Sequence, residues 1–285
     1  LAASARQNGV VLLPVAALTA ALVAPHRPWR HGLGFLAATL GLTVAVAVAL
    51  APHGDHGEGA AAQVRLGQSY DLAGALARQS GLALPSLARE NPILEKLLRT
   101  RGAALYSPLR NDPFAADPRI SAALSDAPEG AVGRAWRGLV RGHPLLYLRV
   151  RRDDFRAVLL TPDNIICHFT PIGVTGAPET LKALGLAARI RPQDQALAGY
   201  ARVFFATPVF SHLFWGAVAV VLLVVLLWRG TGPDLAVAGL LAGALLFTIT
   251  FVMISIACDY RYLVFLDLAA MAAALHAAGP PQRKP

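Results

Sequence analysis

Apolar residues are concentrated at the two ends of the chain, where they form long stretches. Two stretches lie near the start and three near the end, and a long segment of mixed polarity separates them. A membrane-spanning helix needs roughly 20 mainly apolar residues, so the second and fourth stretches suffice alone and the others need flanking residues. The pattern predicts an all-α membrane protein with about five transmembrane helices. The stretches are Val10–Ala24, Leu33–Ala51, Leu213–Trp228, Leu235–Ala257 and Leu263–Ala278.

This pattern divides the chain into three parts. Residues 1–52 carry the first two predicted spans, and residues 213–285 carry the last three with a short cytoplasmic tail. Residues 53–212 form a large loop domain between the second and third spans. Apolar and polar residues recur at helical spacing within this domain, for example over Tyr70–Arg78 and Pro92–Arg99. We therefore expect the loop domain to be mostly helical.

Two segments of the loop domain stand out by composition. Asn111–Gly130 is rich in aspartate, proline and serine, which predicts irregular structure. Pro144–Leu160 has the densest charge in the chain and predicts a helix, although its valines and leucines leave a strand open. In a helix, Arg149 and Arg152 share a face with Arg156, and guanidinium groups pair bidentately with phosphate. These arginines are candidate ligands for a lipid headgroup, with an ordinary solvated face as the alternative.

Composition and charge support a membrane location. Hydrophobic residues make up 55% of the chain and charged residues 15%, with a mean hydropathy of +0.49, which is too apolar for a typical soluble domain. Arginine and lysine in the short connections favour an extracytoplasmic loop domain, so we expect a multi-pass protein of the bacterial inner (cytoplasmic) membrane. The net charge of +9 is spread along the chain, without the basic patch and stacking aromatics that nucleic-acid binding requires.

Cysteines and histidines add two weaker expectations. Cys167 and Cys258 are the only cysteines; a disulfide is allowed in an oxidising compartment, but buried free cysteine is common, and we expect the two thiols to be unpaired. His53, Asp55 and His56 follow the second apolar stretch and could bind zinc or another divalent ion. Their spacing matches no strong metal motif, so a polar turn is the alternative, and we identify no cofactor.

Polar residues also gather where the last apolar stretch begins. Asp267 lies inside that stretch, and an ionisable residue in a spanning helix usually faces a partner or an aqueous cavity. Tyr260 and Asp267 share one helical stripe, which places Asp267 about two turns below the outer surface. A headgroup site is one interpretation, and a structural ion pair with an arginine from another helix is the other. The headgroup candidates are Arg6, Asn8, Asp259, Tyr260, Arg261 and Asp267.

Several short motifs occur along the loop domain: Tyr70-Asp71-Leu72, Tyr106-Ser107-Pro108, Trp136, and His143-Pro144 followed by Tyr147-Leu148 and Arg151. They resemble the outer loop of bacterial multi-span proteins similar to the GT-C class of glycosyltransferases, which use polyprenyl-phosphate-linked sugars. The resemblance implies recognition of a lipid carrier, with Arg261 and Arg6 on the phosphate side. That family's catalytic carboxylate lies in the first outer loop, which we expect upstream of Leu1, so no residue here is assigned as the base.

Two other functions fit the same pattern. The outer domain of a non-catalytic membrane protein could bind a protein partner or an envelope polymer. A glycan transporter or polymerase would instead thread a glycan between its helices. A transporter should carry polar residues at mid-membrane depth, and only Asp267 comes close to that position in the sequence.

Overall fold

The computed structural model describes residues 7–24, 26, 28–50, 56–168 and 172–279, without the side chains of residues 7, 8, 47–50 and 56–60. Throughout these residues the regular structure is helical, and extended pairing is limited to one isolated antiparallel bridge between Val174 and Arg189. The prediction of an all-helical chain is therefore confirmed for this part of the protein.

The helices follow the predicted pattern closely at both ends of the chain. A 3₁₀ turn at Gln7–Val11 leads into α1 (Leu12–Val23) and α2 (Pro28–Leu50). The middle segment holds α3 (His56–Arg78), α4 (Pro85–Glu90), α5 (Pro92–Leu97), α6 (Ala103–Leu105), α7 (Asp112–Ala115), α8 (Pro118–Ser125), α9 (Ala131–Gly142), α10 (Pro144–Leu160), α11 (Pro178–Ala183) and α12 (Pro192–Val203). After a 3₁₀ turn at Pro208–Phe210 come α13 (His212–Arg229), α14 (Gly232–Ile254), a second 3₁₀ turn at Tyr260–Tyr262, and α15 (Val264–Ala278).

The prediction that Asn111–Gly130 is irregular is wrong. The segment forms α7 and α8, because its aspartates and prolines are placed as helix starts. The side chain of Asp117 accepts hydrogen bonds from the backbone N–H groups of Arg119 and Ile120, and Pro118 occupies the first turn, where a missing N–H costs nothing. The same turn-forming residues that indicate a loop in the sequence thus cap a short helix.

The helical domain is organised around the second half of α3. Residues 69–76 are all buried, so this stretch of helix is surrounded on every side. Gly74 permits the closest approach, since a Cβ there would lie 2.7 Å from the ring of Tyr106 and 2.9 Å from Val150. Helices α6, α9 and α10 pack around this stretch. The result is a hydrophobic core separate from that of the apolar helices.

The apolar helices form a second packed group. By length and composition, α13 with 18 residues and α14 with 23 residues could cross a membrane. Two shorter apolar helices, Gly9–Val23 and Val264–Ala278, accompany them. Helices α13, α14 and α15 pack on one another, α1 packs on α14, and α2 packs on α1. Large apolar side chains of α13, such as Val221 and Trp228, point away from this group and are exposed.

The contact between α1 and α14 depends on a glycine. A Cβ at Gly239 would overlap the side chain of Thr19, whose hydroxyl donates to the carbonyl of Val15 at 2.8 Å. Gly243, one turn further along the same face, lies beside Leu12. Small residues four apart on one helix allow two backbones to approach closely, which is the usual basis of helix packing in membranes.

We predict that Gly239→Ala destabilises the protein, because Thr19 must move away and α1 must shift. The expected cost is about 1–3 kcal/mol, the usual range for overpacking. Thermal unfolding in detergent measures it. The matched control is Gly41→Ala in α2, where a Cβ meets nothing within 4 Å, and this variant should unfold at or above the wild-type temperature. Equal melting temperatures for the two variants would contradict the packing role of Gly239.

Candidate functional site where the helical domain meets the apolar helices

Helix α10 connects the two packed groups, and its buried face carries charge. Arg151 is 1% exposed and Asp154 is 0% exposed, although charged residues are almost never fully buried unless they are paired. Both lie on the same inward stripe of α10 as apolar residues. The buried residues of this helix are Tyr147, Val150, Arg151, Asp154, Ala157 and Val158.

Arg151 joins three parts of the molecule. Its Nη1 donates to Oδ1 of Asp71 in α3 at 2.6 Å, and lies 3.5 Å from Oδ2 of Asp154. Its Nε and Nη2 donate to the backbone carbonyls of Val252 and Ser255, at 3.1 and 2.7 Å. These carbonyls belong to the last turn of α14 and to the residue that ends it. The last carbonyls of a helix lack partners within it and favour a cation, so Arg151 satisfies the end of α14 from within the helical domain.

Two aromatic side chains complete the Arg151 cluster, which comprises Arg151, Asp71, Asp154, Trp136 and Tyr106. Trp136 donates from Nε1 to Oδ2 of Asp71 at 2.8 Å, and Tyr106 donates from its hydroxyl to Oδ1 of Asp154 at 2.6 Å. The motif fragments that carry the family resemblance in the sequence therefore converge at one place. The cluster is enclosed, so its arrangement serves to hold the two helical groups together.

Burial dominates the electrostatics of the two carboxyl groups. It raises the pKa of Asp71 more than the neighbouring Arg151 guanidinium lowers it. It also raises the pKa of Asp154 to about 7, against the opposing effects of the Tyr106 hydrogen bond and of Arg151. Oδ2 of Asp154 accepts no hydrogen bond within the described residues. Desolvation of a carboxylate that is only partly compensated accounts for this shift.

An open groove lies beside this junction, where α14 ends and α15 begins, on the side that the sequence predicts to be the outer one. It has a volume of about 370 Å³ and contains two arginines and two aspartates. Small-molecule sites usually measure 300–1,000 Å³ and contain a few convergent polar groups, so the groove is large enough for a small ligand group. We call it the outer groove. Its lining residues are Leu109, Arg110, Asn111, Asp112, Ile166, Ala257, Asp259, Arg261 and Tyr262.

A disulfide and two backbone hydrogen bonds hold the walls of the outer groove together. Cys167 and Cys258 are bonded to each other, so our expectation of unpaired thiols is wrong. The N–H of Cys258 donates to the carbonyl of Leu109 at 3.0 Å, and the N–H of Tyr260 donates to the carbonyl of Cys167 at 2.8 Å. Three segments distant in the chain are thereby fixed side by side, a contact that the sequence pattern alone does not reveal.

Within the outer groove, Arg261 and Asp259 form an ion pair. Nε of Arg261 lies 2.9 and 3.0 Å from the two carboxylate oxygens of Asp259. Asp259 also accepts from the backbone N–H of Arg261 at 2.9 Å, which starts the 3₁₀ turn. The Arg261 side chain remains 63% exposed, and Arg110 on the facing wall is also exposed. The groove thus presents guanidinium groups to solvent beside carboxylates.

Tyr260 and Asp267 lie in a separate buried cluster and do not line the groove. The Tyr260 hydroxyl donates to Oδ2 of Asp267 at 2.5 Å, and Nδ1 of His212 lies 3.0 and 2.9 Å from the two oxygens of Asp267. The predicted stripe therefore brings Tyr260 and Asp267 together. Asp267 occupies the first turn of α15, however, and is not two turns deep. Its partners are a histidine and a tyrosine, not the arginine that a structural ion pair predicts.

His168 extends this cluster by stacking. Its ring lies 5.1 Å from that of Tyr260 and 4.6 Å from that of Phe205, with nearly parallel planes. Burial lowers the pKa of His168, and the nearby backbone of Phe210 opposes part of this shift. That backbone group does not form a hydrogen bond with the imidazole. Across the described residues, neither ring nitrogen of His168 nor Nε2 of His212 has a hydrogen-bond partner. Both imidazoles are enclosed; His168 packs as a flat ring between aromatic neighbours, whereas His212 keeps the contact of its Nδ1 with Asp267.

The other predicted site residues do not gather at the groove. Arg149 and Arg152 are exposed on the outer face of α10, and Arg152 pairs with Asp153 at 3.1 Å, as expected of a solvated face. Arg6, His53 and Asp55 lie outside the described residues, and for Asn8 and His56 only the backbone is described. Where side chains are described, no group of histidine, cysteine, aspartate and glutamate side chains could hold a metal ion. The weak metal candidates therefore stay untested.

The sequence did not identify the buried face of α10 as the one that joins the two helical groups. Arg151 and Asp154 lie in the charge-rich segment that the sequence singles out, but the i, i+3 pattern of Arg149 and Arg152 selects the solvated face instead. Residues 147, 150, 154 and 158 repeat at helical spacing and would have marked the buried stripe. Asp112 lies within the segment predicted as loop, Arg110 immediately precedes it, and no local signal connects either residue to Arg261.

No family model, curated protein or solved structure matches this chain. The comparisons therefore support no particular family, and the resemblance to GT-C glycosyltransferases stays an expectation.

We predict that Arg151→Met strongly destabilises the protein. The substitution leaves Asp71 as an unpaired buried carboxylate and two α14 carbonyls without donors, and breaking a buried ion pair usually costs about 3–5 kcal/mol. Chemical unfolding in detergent measures the loss. Arg152→Met, on the exposed face of the same helix, is the matched control and should change stability by less than about 0.5 kcal/mol. Similar losses for both variants would contradict the role of Arg151.

The raised pKa of Asp154 predicts a pH-dependent stability. The folded state holds the Asp154 proton more tightly than the unfolded state, so this contribution is complete below about pH 4 and is lost as the pH rises through about 7. Asp154→Asn keeps the shape and stays neutral. We expect the melting temperature of this variant, relative to wild type, to rise from pH 5 to pH 8, because the wild-type contribution is progressively lost over that range.

Asp153→Asn serves as the control for this experiment. Although burial acts in the opposite direction, hydrogen bonds from Arg78 and Arg152 lower the pKa of Asp153. Its difference from wild type should therefore stay constant between pH 5 and pH 8. Melting curves measured across this range provide the test. A constant difference for Asp154→Asn as well would show that Asp154 is ionised throughout.

Proposed function

We propose that this chain belongs to an integral membrane glycosyltransferase-like protein that binds a lipid-phosphate-linked sugar at the outer membrane face. The outer groove is the proposed binding site for the phosphate and the adjoining sugar. The single observation that carries this proposal is the placement of Arg110 and Arg261 in one groove at the ends of the apolar helices.

The lengths of the apolar helices support the membrane placement. The hydrocarbon core of a bilayer is about 30 Å thick, and at 1.5 Å per residue α13 and α14 extend about 27 and 34 Å. The exposed valines and leucines of α13 then face lipid. Helices α1, α2 and α15 are proposed as further spans, because α1 and α15 pack along α14 and α2 packs on α1. This gives the five-span topology that the sequence predicts.

The disulfide supports the orientation of this topology. Disulfides persist in oxidising compartments, so the Cys167–Cys258 bond favours an extracytoplasmic position for the groove and the helical domain. At the opposite ends of the apolar helices, Nε2 of His276 lies 2.9 Å from Oδ1 of Asp234, and Arg229 ends α13. An arginine at this end agrees with a cytoplasmic side. The proposed location is the bacterial inner membrane.

The groove chemistry fits a sugar phosphate. Guanidinium groups bind phosphate oxygens through charge-assisted hydrogen bonds, and Arg110 and Arg261 supply them. Carboxylates accept hydrogen bonds from hydroxyl groups, and Asp112 and Asp259 are the acceptors in the groove. The groove also lies at the level where the apolar helices end, which is where a lipid headgroup would be found. A lipid-linked sugar could thus reach the groove without entering the interior of the protein.

The groove is proposed for binding, and no residue of this chain is proposed as the catalytic base. Asp259 accepts hydrogen bonds from the side chain and the backbone of Arg261, so its carboxylate already has structural partners. In the GT-C resemblance the catalytic carboxylate lies in the first outer loop. We therefore propose that any transfer chemistry depends on residues outside this sequence.

The contact between Asp259 and Arg261 in the groove also favours one alternative function. If Asp259 and Arg261 serve only to shape the groove, the protein is a non-catalytic membrane protein whose outer domain binds an envelope polymer. A transport pathway has less support, because the ionisable residues of the described apolar helices lie in their first or last turns. These residues are Arg30, His31, His212, Arg229, Asp234, Asp267 and His276.

We predict that Arg261→Ala and Arg110→Ala each weaken binding of a polyprenyl monophosphate by about tenfold or more, since hydrogen bonds to charged groups contribute about 1.5–3 kcal/mol. The measurement is titration of a fluorescent polyprenyl monophosphate into the protein in lipid nanodiscs. Arg149→Ala removes an exposed arginine outside the groove and should bind like wild type. Thermal unfolding of each variant separates loss of binding from loss of folding.

The outcomes are distinguishable. Unchanged affinity in both groove variants, with folding intact, would remove the groove as the phosphate site. Equal weakening in all three variants would indicate attraction by net charge without a specific site. Binding that is lost only in the groove variants supports the proposal.

A further inference from the structure

Helix α12 has an apolar face that no other part of the described chain covers. Leu197, Tyr200 and Val203 are 69%, 66% and 71% exposed, and none of the residues of α12 is buried. At 100° per residue these three side chains share one side of the helix. Tyr200 contacts only the neighbouring Phe204 ring, at 5.0 Å, among the aromatic contacts of the described residues. Such a face usually marks an interaction surface.

The opposite side of α12 is polar. Gln195 and Arg202 are exposed and lie about 140–160° around the helix from Tyr200. Arg191 precedes the helix on the same polar side, and its backbone N–H donates to Oδ2 of Asp194 at 2.8 Å. A helix with aromatic and aliphatic residues on one side and arginines on the other is typical of helices that lie in the plane of a membrane interface.

The contacts after α12 fix where the helix ends. Phe205 follows two residues after Val203, is buried, and stacks on His168. The indole Nε1 of Trp215, in the first turn of α13, donates to the carbonyl of Val209 at 3.0 Å. The linker between α12 and α13 is therefore held against the first turn of α13. Measured along the axis of α13, the C-terminal end of α12 must lie at the same height as the beginning of α13.

These observations point to a lipid surface as the partner. We propose that α12 lies on the outer surface of the bilayer, with Leu197, Tyr200 and Val203 at the boundary between headgroups and acyl chains. The inference depends on the proposed insertion of α13, because the start of α13 then marks the membrane surface. Arg191 and Arg202 remain on the headgroup side, where they are attracted to anionic lipid. Aromatic residues at this level favour the interface as well.

The test uses depth-dependent fluorescence quenching in the whole protein. A single cysteine is introduced at Leu197 (Leu197→Cys) and labelled with an NBD fluorophore, since the two native cysteines are bonded to each other. The protein is reconstituted into vesicles of phosphatidylcholine and phosphatidylglycerol, with and without brominated acyl chains. Gln195→Cys, on the polar side of the same helix, is the matched control. Val221→Cys, on the exposed side of α13, reports whether α13 is inserted.

We expect strong quenching at positions 221 and 197, with several-fold weaker quenching at position 195. Quenching at 221 together with none at 197 would overturn the interfacial position of α12 and leave the insertion of α13 intact. A blue-shifted but unquenched label at 197 would mean that protein covers this face, which also overturns the proposal. Absence of quenching at 221 would instead reject the membrane placement of α13, and with it the proposed function.

Discussion

The rest of the structure depends on the ion pair and the hydrogen bonds that the guanidinium group of Arg151 makes. The guanidinium is buried between two helical groups that have separate hydrophobic cores, and it binds a carboxylate in one group and two backbone carbonyls in the other. A buried ion pair contributes little net stability against a well-packed apolar alternative. Its value here is geometric, because the planar donors define one orientation of α10 against the end of α14. The walls of the outer groove come from both groups, so the shape of the groove depends on that orientation.

The helices themselves could be predicted from the sequence, and their contacts could not. Periodicity and the apolar stretches locate α1, α2, α13, α14 and α15 to within a few residues, since local spacing determines which side of a helix is apolar. The Cys167–Cys258 bond joins residues 91 apart, and nothing local distinguishes paired from unpaired thiols. Arg151 appears in the sequence only as part of a motif, for a related reason. A charged residue is expected to face solvent, so spacing alone favours Arg149 and Arg152 on the exposed face of α10 as site residues.

The candidate site shows the same limit in a different form. Tyr260 and Asp267 were expected to meet on one helical stripe, and they do meet, but through a 3₁₀ turn that precedes α15 instead of a continuous helix. Arg261 and Asp259, which the sequence places together before the last apolar stretch, both line the groove. Their neighbours Arg110 and Asp112 come from the helical domain, and only the docking of that domain brings them close. Residues adjacent in sequence could thus be grouped correctly, whereas the facing wall required the fold.

The disulfide has a consequence for the assembly of the protein. The loop that it closes contains α13 and α14, so in the proposed topology the chain between the two cysteines enters the membrane and returns. Cys258 can meet Cys167 only after this helical hairpin has been inserted and its second end has been translocated. The bond would then form only in chains that have been inserted in the correct orientation. A chain inserted in the wrong orientation would keep both thiols in a reducing compartment and would lack the disulfide bond.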